Sequence, residues 1–140
     1  MEETTQPTAA EREKQVRSLF FAYRNGIVAD TLRKAGLPHK TIFGLNVPQL
    51  AAIAKPLMPD HELALRLWGD PACREARLLA CWLFDPALTD ADLLRSLAAS
   101  LQCREEADIL AFRQLRPLPE DDPRAELLAA AMTEAGYPPR

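Results

Sequence analysis

The side chains that could do chemistry in this chain fall into three groups. Arg24, Arg33, Lys34, His39, Lys40 and Lys55 fall at or near helix ends and in one loop, a pattern suited to gripping phosphates. Arg74, Glu75 and Arg77 stand together in the word R-E-A-R. Its arginines could also meet phosphates, or could bridge neighbouring helices through ion pairs. Glu105, Glu106 and Asp108 make an acidic cluster with Arg104 and Arg113 nearby. Such a cluster repels a phosphate backbone unless those arginines offset it. His39 sits beside Lys40 in a segment that reads as an exposed loop, with no acid or nucleophile near it in sequence. The chain has no Gly-rich phosphate loop and neither a GxSxG nor an HExxH motif.

Cys73, Cys81 and Cys103 are odd in number and lack CxxC spacing, and both histidines, His39 and His61, lie far from them in sequence. Spacing therefore predicts buried or half-buried thiols, no metal site and no cofactor. Trp68 and Trp82 lie inside apolar runs and are expected to pack in the core.

Helices must position these groups. Apolar residues recur at helical spacing, and a proline or glycine marks nearly every break. The pattern predicts helices over about 9–24 and 27–35, with Gly36 as the cap of the second, then a loop over 37–46. A third helix starts near Val47 with Pro48 in its first turn. A fourth, 61–68, is capped by Asp60, and a fifth opens at Asp70-Pro71 and ends near Phe84. A sixth uses Thr89 and Asp92 as a capping box and ends near Leu101. A seventh covers about 104–115, and a last one, 124–135, follows a proline-rich acidic loop. Eight short helices pair into about four antiparallel hairpins, which suggests an all-α fold, an α-solenoid. A globular helical bundle is the alternative. Residues 1–8 are expected to be disordered, 9–136 to form one repeat domain, and 137–140 a tail.

The 140 residues are 48% hydrophobic and 26% charged, an ordinary globular balance. No apolar run is long enough to span a bilayer, and the polar, acidic first ten residues do not read as a secretory signal, so the cytoplasm is expected. A net charge of −3 argues against a strong general nucleic-acid binder. The charge is uneven, however. Residues 17–77 hold nine Lys/Arg against five Asp/Glu, and residues 78–140 hold six against eleven. A basic face is thus available only in the front half.

Four words in order, V-A-D-T-L-R-K-A-G, F-G-L-N-V-P-Q-L-A-A-I-A-K, A-L-R-L-W and R-E-A-R-L-L-A, carry a resemblance. Over about residues 25–115 the chain resembles the HEAT-like repeat proteins of the DNA alkylation repair (AlkD-like) family, most of all its short bacterial branch. The resemblance implies an α-α superhelix of HEAT-like hairpins with DNA along a basic concave surface. Active members of that family remove cationic alkylpurines from DNA. Such a base leaves without an acid catalyst, so one carboxylate that stabilises the oxocarbenium-like sugar suffices. Asp108 is the best counterpart of the family's catalytic aspartate. Four residues earlier, where active members place a sugar-packing tryptophan, stands Arg104. The later arginine and second aromatic have no clear counterpart. The reading that results is a non-catalytic or weakly catalytic DNA-binding protein using Arg24, Arg33, Lys34, Lys40, Lys55, Arg74 and Arg77. The alternatives are an alkylpurine DNA glycosylase using Asp108, and a scaffold that binds a protein partner on its concave face.

Overall fold

The computed structural model describes residues 6–140. Of the segment expected to be disordered, residues 1–5 lie outside the described residues. Residues 6–8 lead directly into the first helix, whose first turn is capped by the Thr8 side chain.

The described residues form eight α-helices, α1 (Ala9–Ala22), α2 (Gly26–Lys34), α3 (Val47–Ala54), α4 (His61–Trp68), α5 (Arg74–Leu83), α6 (Ala91–Ala99), α7 (Arg104–Leu110) and α8 (Pro123–Glu134). The all-α expectation holds, and among the described residues no β-strand forms. Six of the eight starts, all but those of α5 and α7, carry a side-chain cap. Asn25, Asn46, Asp60, Asp90 and Asp122 accept amide protons of the first turns, which otherwise have no partner in the helix. Asn46 and Gln49 complete a reciprocal capping box ahead of Pro48.

Three boundaries differ from the sequence reading. The fifth helix starts at Arg74 rather than at Asp70-Pro71. The Thr41 amide donates to the Ala72 carbonyl and the Arg74 amide to the Thr41 carbonyl, so this strip is held extended against the 37–46 loop. Asp90, not Thr89, caps α6, because the Thr89 hydroxyl donates to the Asp85 carbonyl instead. Helix α7 widens into a π-helical turn over Ala111–Leu115, with the Arg116 amide reaching back five residues to the Ala111 carbonyl. There the Gln114 side-chain amide Nε2 donates to the Cys81 carbonyl, tying the turn to α5.

Packing centres on α5, every residue of which is buried. It lies against α3, α4 and α7, while α1 packs on α4 and α6 packs on α8. One apolar cluster runs from Val16 through Leu50, Leu67, Leu79 and Leu97 to Met132. Trp68 and Trp82 belong to it, as expected. Helix α2 is different, burying only Ala29. It is held mainly at its first turn, where the Asn25 amide donates to the Phe43 carbonyl. Gly44 has a φ of +91° and no room for a side chain, since a Cβ would lie 2.2 Å from the Asn25 carbonyl oxygen.

Candidate nucleic-acid interface and the buried charge network

Arg24, Arg33, Lys34, Lys40 and Lys55 are all exposed. None of them lies within 4.0 Å of a carboxylate of the described residues. Arg33 donates to the carbonyls of His39 and Lys40, both at 3.3 Å, so the end of α2 and the tip of the loop present their cations together. Lys34 follows directly. Arg24 precedes α2, about 14 Å from Arg33 at the helical rise, and its guanidinium lies 3.9 Å from the Phe21 ring centroid. Lys55 follows α3. Its neighbour Pro56 and Arg24's neighbour Tyr23 line one trough of about 330 Å³ between α1 and α3, together with Leu19 and Ile53.

Arg74 and Arg77 lie elsewhere, each only 3% exposed. Arg74 donates to both oxygens of Glu105 at 2.7 and 2.9 Å, to Glu75 at 2.7 Å and to the Leu45 carbonyl at 2.8 Å. Glu75 also accepts the Phe43 and Gly44 amides at 2.9 and 3.1 Å. Arg77 lies 3.8 Å from the centroid of the Trp68 ring and donates to the carbonyls of Trp68 and Ser100 at 3.0 and 2.6 Å. Of the two readings of the R-E-A-R word, this arrangement has the form of the helix-bridging one. The arginines face their own acids and carbonyls and offer no free donor edge at the surface.

His39 departs from the exposed-loop expectation. Its side chain is fully buried, and its Nε2 lies 2.7 Å from Glu106. Glu106 also accepts the Gln102 amide at 3.0 Å, the Gln102 side chain at 2.9 Å and Arg77 at 3.3 Å. Burial alone would push the Glu106 carboxyl up, but the His39 contact, the Arg77 charge and the Gln102 amide hold it below the ordinary carboxylate range. Cys103, half-buried at the start of α7, completes a trio with His39 and Glu106 whose ligand atoms all lie within 4.8 Å of one another. Sequence spacing missed this trio because 64 residues separate His39 from Cys103. The available signal was compositional, since charged residues in an otherwise apolar helix such as α5 must find partners.

Asp108 is part-exposed on α7 and pairs with Arg104 at 2.9 Å, one helical turn back. Arg140 approaches its other oxygen at 3.9 Å. Arg104 also lies 5.9 Å from the Tyr137 ring centroid. The Asp108 carboxylate thus already faces two guanidinium groups. Among the described residues no helix is long and apolar enough to cross a membrane.

The family whose description is DNA alkylation repair enzyme matches over residues 16–136. No curated protein and no solved structure matches the chain.

Proposed function

The chain belongs to the DNA alkylation repair family, and on that footing we propose that it holds duplex DNA by its phosphates with little or no base excision. One observation carries this reading. Arg24, Arg33, Lys34, Lys40 and Lys55 are exposed and without carboxylate partners, while Arg74 and Arg77 are engaged inside the protein. Exposed cations of this kind contact phosphates and give affinity without sequence preference. HEAT-like stacking of the helices is part of the same proposal, with α2 and the 37–46 loop supplying the DNA-facing edge.

The weak-catalysis part rests on Asp108. A carboxylate that stabilises a cationic sugar must be free to face it. Here Arg104 occupies the position at which the resemblance places a sugar-packing tryptophan, and it neutralises the acid it would have assisted.

Binding to an intact duplex and to one with an abasic site, across a salt series, tests the proposal. Log affinity should fall linearly with log salt, by about 0.9 per phosphate contacted. Arg33→Ala with Lys34→Ala should flatten that slope by about 1.8. Release of 7-methylguanine should be absent or slight and indifferent to Asp108→Asn. No binding at low salt overturns the DNA reading, and release that disappears in Asp108→Asn overturns the weak-catalysis reading.

A second reading has its own observation. Tyr23 is 52% exposed and Leu19 39%, and both line the trough between α1 and α3. Exposed apolar side chains lining a trough favour a protein partner there.

A further inference from the structure

We propose that His39, Cys103 and Glu106 bind one divalent cation of the zinc class, entering past the half-exposed Cys103. The inference does not rest on DNA binding.

The fold joins three elements at this point, the 37–46 loop, the residue before α7 and the first turn of α7. The donor set is sulfur, imidazole nitrogen and carboxylate oxygen, all within 4.8 Å of one another. This is the donor chemistry of zinc, whereas magnesium and calcium take nearly all-oxygen shells. Tetrahedral coordination at zinc bond lengths places ligand atoms about 3.3–3.8 Å apart. The His39–Glu106 pair must therefore open from 2.7 Å by roughly 0.6 Å, and no ligand atom need close in by more than about 1.5 Å. Three protein ligands leave a fourth position for water on the Cys103 side.

The surroundings fit a ligand role for Glu106. Its Oε1 is held by the Gln102 amide and by Arg77. Its Oε2 is steadied by the Gln102 side chain, which is itself anchored to the Pro71 carbonyl at 3.0 Å. Such outer bonds fix the orientation of a ligating carboxylate. His39 would ligate through Nε2, the nitrogen that already faces Glu106. The charges also fit. Glu106 and a Cys103 thiolate outweigh the one guanidinium in contact with the trio, that of Arg77, and the Arg74 charge nearby is paired with Glu75 and Glu105.

Binding is linked to proton release. Burial pushes the Cys103 thiol above its ordinary range, with the Glu106 and Glu105 backbone amides opposing and the Glu106 and Glu105 charges adding to the rise. The thiol proton goes to solvent as the sulfur–metal bond forms. The imidazole ligates as the neutral base, its proton on the other ring nitrogen. Affinity therefore rises with pH.

The test uses the full chain, reduced and stripped with a chelator, then titrated with Co²⁺ and Zn²⁺ alone. One Co²⁺ per chain should give a thiolate-to-metal charge-transfer band and tetrahedral visible bands. Zn²⁺ should abolish both and raise the melting temperature. Cys103→Ser should remove the charge-transfer band and weaken Zn²⁺ binding at least about 10-fold. That variant keeps the test sound, because serine at this N-terminal position is a better helix cap than cysteine and the fold is retained. His39→Asn should weaken binding comparably. No band and no thermal shift at millimolar metal overturns the site. A band that persists in Cys103→Ser overturns it equally, since Cys73 or Cys81 would then be the thiolate.

Discussion

Two sets of cations in this chain share a chemistry and differ in what surrounds them. Arg74 and Arg77 sit on the buried central helix and meet Glu75, Glu105 and Glu106. Arg24, Arg33 and Lys34 sit on or beside the least buried helix, Lys40 at the loop tip and Lys55 at the end of α3, and they meet no carboxylate of the described residues. The first set joins the 37–46 loop, α5 and α7 into one body. The second set rides on that body. What separates a guanidinium that holds the fold from one left exposed is mainly the supply of acids from distant segments, Glu105 and Glu106, added to the adjacent Glu75.

The sharpest break in this comparison is Glu75→Ala. It strips partners from the Phe43 and Gly44 amides and from one side of Arg74 at once. Removing one partner of a buried ion pair costs about 3–5 kcal/mol, and urea denaturation should report a loss of that size. A loss below about 1 kcal/mol would mean that the network is not structural. Gly44→Ala comes next. The left-handed backbone alone costs about 1–3 kcal/mol for a side-chain-bearing residue, and the close approach to the Asn25 carbonyl adds to it. Its lowered stability should be accompanied by weaker DNA binding, because α2 loses its anchor.

Acid titration sharpens the buried side of the comparison. The Glu106 carboxyl is held below its ordinary value in the folded state. Its contribution is therefore present above the unfolded value, about 4.5, and is lost as pH falls through the folded one. Stability followed by circular dichroism should drop below about pH 4.5, and Glu106→Gln should lessen that dependence. The smallest effect on stability belongs to the outer set. Arg33→Ala with Lys34→Ala should change unfolding free energy by about 0.5 kcal/mol or less, although the same pair should visibly flatten the salt dependence of DNA binding.

Much of the helical frame was legible because its causes are local. Asp60, Gly36 and the Val47-Pro48 start are read from neighbours within one turn. The widened turn at 111–115 was not legible, because it answers to Cys81, 33 residues back from Gln114. The candidate site divides the same way. Exposure of Lys34 and Lys40 follows from their place at a helix end and a loop tip. The fate of His39 depends on Glu106, 67 residues away, and that of Arg74 on Glu105, 31 residues away. Long-range pairings of this kind leave no periodicity in sequence. Their trace is the presence of ionisable residues within an apolar stretch, which fixes the need for a partner without naming it.

The tethering of the 37–46 loop reverses the usual ranking of mobility. The Thr41, Phe43 and Gly44 amides donate to the Ala72 carbonyl and to Glu75, so they open only when the loop leaves the central helix. Helix α2 buries one residue, and beyond its first turn it is tied to the loop only by the long Arg33 side-chain bonds to the His39 and Lys40 carbonyls. In deuterium exchange, the irregular loop should keep its protons nearly as long as α5, while the regular helix beside it gives them up early. Arg33 and Lys34 would then sit on a backbone that opens before that of Lys40, with the Arg33 side chain as the link between the two.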